Sequence, residues 1–94
     1  MFELRVEDGG RVALQGRLDA SQADEAGERL AALSGAVVLD CAALDYISSA
    51  GIGVVVETFK RLRNTGGSLK MVNVPPRIRT VFTYAGLDRV LPME

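Results

Sequence analysis

The chain has 94 residues, 48% of them hydrophobic, which is enough for one small domain, residues 1–94, and too few for two. Its net charge is −1 and its Lys and Arg residues are scattered, so it lacks the basic footprint of a protein that binds nucleic acid or a membrane surface. One cysteine and no histidine exclude an internal disulfide, a Cys/His zinc site and a Ser/His/Asp triad.

The first predicted elements are two strands joined by a tight turn. Apolar and charged side chains alternate over residues 2–7, as in a half-exposed strand. Asp8-Gly9-Gly10 is a hairpin turn signal. Alternating apolar residues then continue as a second strand, which we expect to pair with the first: Val12, Leu14 and Leu18.

A helix is predicted over residues 21–33, followed by a short strand over residues 37–39. The helix has one apolar stripe, made of Ala23, Ala26, Gly27, Leu30 and Leu33. Ser21 and Asp24 resemble a capping box at its start. The strand is apolar on both faces, which is typical of a central position in a sheet. Cys41, just after it, is interpreted as a small buried hydrophobe.

The second half of the chain repeats the alternation of helix and strand. A second helix is predicted over residues 50–64 and ends at Gly66-Gly67, and a strand follows over residues 69–74. Pro75-Pro76 starts a third helix, which Gly86 closes, and residues 90–91 form a last short extended piece. The inward side of this helix is predicted to consist of Ile78, Val81, Phe82 and Ala85.

The order of elements is therefore β-β-α-β-α-β-α-β. Strands that alternate with helices across short connections indicate an α/β fold with a mixed sheet. Each helix has a single apolar stripe, so we expect the helices to lie mainly on one face of that sheet. With no basic-then-apolar leader and no apolar run long enough for a membrane span, the sequence predicts a soluble, cytoplasmic protein.

The most informative segment is Asp45-Tyr46-Ile47-Ser48-Ser49-Ala50-Gly51-Ile52-Gly53, where an extended segment turns into a helix. A helix N-terminus has free N–H groups and the positive end of the helix dipole, so a phosphate on a serine there would be tolerated. The plain alternative is that a serine here only caps the helix. Gly51 and Gly53 have two interpretations as well: close packing against a strand, or an open patch that a partner can approach.

Other segments fall at specific positions around this turn: Leu14-Gln15-Gly16-Arg17-Leu18-Asp19, Val37-Val38-Leu39-Asp40, Gly66-Gly67-Ser68-Leu69, Val74-Pro75-Pro76-Arg77-Ile78-Arg79 and Ala85-Gly86-Leu87-Asp88. In their order and spacing, over nearly the whole chain, they resemble the STAS domain, and within it the bacterial anti-sigma factor antagonists. Many relatives continue into a further helix after the last short strand, whereas this sequence stops at Glu94.

The resemblance implies that the serine two residues before the first glycine of the turn is phosphorylated, and here that serine is Ser49. Ser48 stands where many relatives have aspartate, and Ala50 replaces a frequent second serine. Ser48 is interpreted as the structural cap, or as a neighbour that shapes the loop, rather than as a second acceptor. Asp19 is interpreted as a helix cap that also lies beside the phosphorylation loop. The predicted partner-binding residues are Asp19, Ser48, Ser49, Ala50, Gly51, Ile52 and Gly53.

The function that the resemblance implies is a protein-binding switch. The unmodified domain would bind an anti-sigma factor that is also a serine kinase, phosphorylation of Ser49 would release it, and a metal-dependent protein serine phosphatase would reset the switch. The alternative is a non-catalytic accessory subunit of a lipid-transport ATPase or a stress-signalling scaffold. An enzyme is not expected, and neither is a metal or cofactor, because the chain has no histidine base and no phosphate-binding glycine loop.

Overall fold

A computed structural model describes residues 1–94. Its strands are β1 (Phe2–Val6), β2 (Arg11–Leu18), β3 (Ala36–Ile47) and β4 (Ser68–Val72). Its helices are α1 (Ala20–Ala31), α2 (Ser49–Asn64) and α3 (Pro76–Tyr84), and two short 3-10 turns span Asp8–Gly10 and Leu87–Arg89. None of these helices has the length and apolar character that crossing a membrane would need.

The strands form one mixed sheet in the order β1-β2-β3-β4. β1 and β2 are an antiparallel hairpin closed at Asp8–Gly10, as the turn signal predicts. β3 runs parallel to both of its neighbours, so α1 and α2 serve as the crossovers into and out of it. The predicted α/β class, the mixed sheet and the central position of the third strand are confirmed.

One face of the sheet is buried and the other is not. Side chains alternate along the strands, in β3 as far as Cys41, and the inward set includes Leu4, Val12, Leu39 and Met71, each at most 4% exposed. The same core cluster includes side chains from all three helices: Ala26, Leu30, Val55, Leu62, Ile78 and Phe82. The helices therefore lie on one face, as expected. Cys41 belongs to this core and is fully buried, which raises the pKa of its thiol to about 12.

β3 is far longer than the predicted strand over residues 37–39. Its pairing with β2 contains two irregularities, each of which places one extra residue in β3. As a result the buried side chains beyond Leu39 are Cys41, Leu44 and Ile47, at intervals of two and then three residues. The bulges hide the period of two that identifies a strand, while the chain stays extended to the start of α2.

The helix ends differ in detail from the sequence pattern. α1 begins at Ala20, because Asp19 rather than Ser21 is its cap, so the predicted Ser21/Asp24 capping box is wrong. It ends at Ala31, and Leu33 is only half-buried. α2 begins one residue before the predicted start and ends where expected, at Asn64.

The C-terminal segment also differs from the prediction. β4 ends at Val72, and residues 90–91 follow the 3-10 turn rather than forming a strand. The final extended contact is one parallel bridge between Met93 and Met71. In α3, Ile78 and Phe82 are buried as predicted; Val81 is half-buried, and Ala85 lies beyond the helix and is exposed.

Candidate functional site

Ser48 is the structural cap at the junction of β3 and α2. Its backbone is extended (φ −91°, ψ 173°), and its Oγ accepts a hydrogen bond from the N–H of Gly51 at 3.2 Å. Its carbonyl accepts from the N–H of Ile52 at 2.9 Å, and its own N–H donates to the carbonyl of Leu18 at 3.0 Å. Ser48 is thus held by three hydrogen bonds, and its hydroxyl is occupied.

Ser49, by contrast, is the first residue of α2 and is exposed. Its hydroxyl has no hydrogen-bond role in the helix start. The N–H groups of Ser49 and Ala50 precede the first intrahelical hydrogen bond, so they form part of the positive end of the helix dipole. An anion carried by Ser49 would meet these donors without displacing the cap on Ser48.

The two glycines of this turn do different things. A Cβ on Gly51 would lie 2.8 Å from Cγ1 of Ile47 and 2.8 Å from the carbonyl oxygen of Leu18, so the first turn of α2 sits directly against the ends of β2 and β3. Gly53 is exposed, and a Cβ there would meet nothing within 4 Å. The close-packing interpretation therefore fits Gly51, and the open-patch interpretation fits Gly53.

Ser49 lies at one end of a groove between α1 and α2. Four of the predicted site residues line it: Ser49, Ala50, Ile52 and Gly53. α1 contributes small side chains at Ala23 and Gly27, where a Cβ would approach Val54 only to 3.7 Å. The sequence pattern predicts these two α1 residues as core. The only sequence signal for a groove is that two small residues stand four positions apart, on the same side of the helix.

The charges of this groove are mainly acidic. Asp24 of α1 and Glu57 of α2 both line it. At its far end, the guanidinium of Arg61 donates to the carbonyl of Leu30 at 2.9 Å, which ties α2 to the last turn of α1. Arg61 is therefore not a freely solvated charge.

Asp19 caps α1 beside the junction. Its Oδ1 accepts hydrogen bonds from the hydroxyl of Ser21 at 2.7 Å and from the N–H of Ser21 at 3.1 Å. The Ser21 hydroxyl is the main reason that the pKa of Asp19 is lowered. Leu18 pairs with Ile47, so the caps of α1 and α2 are neighbours, but no hydrogen bond joins Asp19 to Ser48 or Ser49.

The segment of β3 just before the junction carries two exposed pairs that sequence analysis missed. The guanidinium of Arg17 stacks over the ring of Tyr46, 4.2 Å from its centroid. The guanidinium of Arg77 donates to the carbonyl of Asp45 at 3.0 Å and approaches its carboxylate at 3.4 Å. Both contacts lie on the exposed side of the bulged end of β3, close to the start of α2. Nowhere do three acidic or thiol side chains converge as metal ligands.

The sequence of this chain is similar to those of known proteins over most of its length. The STAS domain family model matches residues 3–94. BtrV of Bordetella bronchiseptica, named among the anti-sigma factor antagonists, is 38% identical over 92% of this chain and 78% of its own length. The anti-sigma-B factor antagonist of Bacillus subtilis is 34% identical over 89% of this chain and 80% of its own.

Solved structures agree on the fold. An anti-sigma factor antagonist from Mycobacterium paratuberculosis has a TM-score of 0.82 and 22% identity, covering 99% of this chain and 83% of its own. SpoIIAA matches with a TM-score of 0.73 and 20% identity in its unphosphorylated form, covering all of this chain and 87% of its own. Its phosphorylated form gives the same TM-score. The chain belongs to the STAS domain family, among the bacterial anti-sigma factor antagonists.

Proposed function

We propose that residues 1–94 act as one STAS-like unit, a non-catalytic anti-sigma factor antagonist controlled by phosphorylation of Ser49. The unmodified protein binds an anti-sigma factor that is also a serine kinase, and this partner transfers phosphate from ATP to the Ser49 hydroxyl. The phosphorylated protein releases its partner. A metal-dependent protein serine phosphatase hydrolyses the phosphate and restores binding.

The division of labour between the two serines carries this proposal. Ser48 uses its hydroxyl to accept from the N–H of Gly51, whereas the hydroxyl of Ser49 is exposed and free to react. A phosphate on Ser49 would lie at the N-terminal end of α2, where the helix dipole favours an anion. SpoIIAA, which has the same fold, exists in both an unphosphorylated and a phosphorylated form. These points support a modification that leaves the domain folded.

The groove next to Ser49 supplies a reason for release. A phosphate brings a charge of about −1.5 to −2 at neutral pH. The groove also contains Asp24 and Glu57, and its one cation, Arg61, lies at the far end, roughly 18 Å along α2 from Ser49. The phosphate therefore finds no cationic partner in the groove and stays hydrated. A partner that packs over Gly53 and Ala50 would have to bury that charge, so binding weakens.

The test is phosphorylation of three proteins by the cognate anti-sigma factor kinase with ATP, followed by peptide mapping. We expect phosphate on Ser49 in the wild type, none in Ser49→Ala, and phosphate still on Ser49 in Ser48→Ala. Ser49→Ala should bind the kinase constitutively, and Ser49→Asp should bind it more weakly, though one carboxylate carries less charge than a phosphate. Undiminished incorporation in Ser49→Ala would overturn the assignment. Equal partner binding before and after phosphorylation would instead indicate a docking-only subunit.

A further inference from the structure

A second groove runs along the other side of α2, toward its C-terminal end. One wall is the side of α2 that carries Val56, Phe59 and Arg63. The other wall is the 3-10 turn at Leu87–Arg89 with the residues that follow it. Its lining is made of Val56, Phe59, Lys60, Arg63, Asn64, Leu87, Val90 and Leu91. Only Val56 is shared with the groove at Ser49. Since an α-helix rises 1.5 Å per residue, Ser49 and Lys60 are separated by roughly 16 Å along α2.

The wall formed by the turn is fixed in place. The N–H groups of Val90 and Leu91 donate to the carbonyl of Leu87 at 3.0 and 2.9 Å. The chain then pairs with β4, where the N–H of Met71 donates to the carbonyl of Pro92 at 2.9 Å. Leu91 is 2% exposed and anchors the turn in the core. The groove is therefore preformed, and a ligand would not have to order it.

The groove exposes apolar surface under a positively charged rim. Val90 is 53% exposed although its neighbour is buried, and Val56 and Phe59 are half-buried. Both charged residues of the lining, Lys60 and Arg63, are cations, and neither forms an ion pair within the chain. The exposed Asp88 and Arg89 of the turn carry opposite charges, so Lys60 and Arg63 decide the sign of the rim.

We propose that this groove binds a protein segment with an apolar stripe flanked by acidic side chains, and that it does so independently of Ser49. The apolar stripe would cover Val56, Phe59 and Val90, which water now contacts. Carboxylates beside the stripe would pair with the two free cations on the rim. A flat membrane surface would leave the floor of the groove uncovered, so a peptide helix fits it better. The protein would thus hold two partners at opposite ends of α2.

The probe is a synthetic amphipathic helical peptide with leucines at positions i, i+3, i+4 and i+7 and glutamates on both sides of that stripe. Its matched control carries lysines in place of the glutamates. Titration of the isotope-labelled protein followed by NMR should give saturable shifts at Phe59, Lys60, Leu87 and Val90, with the acidic peptide bound about tenfold more tightly than the basic one. Ser49→Asp should bind the acidic peptide as the wild type does.

Two variants keep the proposal open to refutation. Val90→Asp changes an exposed residue and should keep the native spectrum while weakening the acidic peptide by about tenfold or more. Lys60→Glu with Arg63→Glu should reverse the preference between the two peptides. Shifts that map elsewhere, equal affinity for both peptides, or no saturation up to about 1 mM peptide would overturn the proposal. A different result would also overturn it: the wild type binds phosphatidylserine vesicles, and the Lys60→Glu/Arg63→Glu variant loses vesicle binding but binds the peptides unchanged.

Discussion

Replacement of Gly51 by alanine tests how closely α2 packs on the sheet. The new methyl group would lie 2.8 Å from the Leu18 carbonyl oxygen and 2.8 Å from Cγ1 of Ile47, and the carbonyl cannot retreat because it also accepts the N–H of Ser48. Overpacking of this kind costs about 1–3 kcal/mol. Alanine regains up to about 1 kcal/mol of helix propensity, so we expect a net loss of about 0–2 kcal/mol in the free energy of unfolding.

The matched control is Gly53→Ala, two residues further along the same helix. Its methyl group meets nothing within 4 Å, so helix propensity acts alone and should raise the free energy of unfolding by about 0.5–1 kcal/mol. Urea unfolding followed by far-UV circular dichroism measures both variants. For a domain of this size, each kcal/mol also shifts Tm by about 4–8 °C. If Gly51→Ala proved as stable as Gly53→Ala, the close contact with Leu18 would not exist.

Three further predictions concern the cap of α2, the loss of stability at low pH and the buried thiol. Ser48→Ala should lower the free energy of unfolding by about 1 kcal/mol and Ser49→Ala by less than about 0.5 kcal/mol in urea titrations; the reverse order would contradict the assignment of the cap. The pKa of Asp40 is lowered, chiefly by the hydrogen bond from the N–H of Ala42, so its stabilisation is complete above the unfolded pKa of about 3.9 and is lost as the pH falls through the lower folded pKa. Tm should therefore fall as the pH is lowered, and the fall should be smaller in Asp40→Asn. Parallel curves of Tm against pH for the two proteins would contradict this role of Asp40. Burial, with a smaller contribution from the charge of Asp40, raises the pKa of the Cys41 thiol to about 12, so a disulfide reagent at about pH 8 should label it only in denaturant, and rapid labelling of folded protein would refute the burial.

The strand and helix order could be predicted because each element shows its own period of apolar residues. What could not be predicted lies where the period is interrupted. The apolar strand pattern stops at Leu39, yet the chain stays extended to Ile47 because its pairing with β2 continues across two bulges. Near the C-terminus, the apolar pair Val90-Leu91 looks extended, but the carbonyl of Leu87 accepts both N–H groups and closes a turn. The local pattern of apolar and polar residues does not predict such hydrogen bonds.

The candidate site shows the same limit. Capping rules and the family resemblance together separate Ser48 from Ser49, and Asp19 is a cap for a local reason that sequence reveals. The groove beside Ser49 is different, because its walls come from two helices. The apolar stripe predicts Ala23 and Gly27 as core, and only the distance between α1 and α2 shows that they also line a groove.

The hydrogen bond from the N–H of Ser48 to the carbonyl of Leu18 ties the display of Ser49, the proposed acceptor, to the completion of folding. Leu18 and Ile47 are parallel partners on either side of α1, so the chain must close a long loop before they pair. Contacts of this kind form late relative to local hairpins such as β1–β2. A nascent or partly unfolded chain therefore carries Ser49 in its sequence without presenting it at a capped helix start. A kinase that recognises the assembled junction of β3 and α2 would therefore phosphorylate Ser49 only in molecules whose sheet has formed.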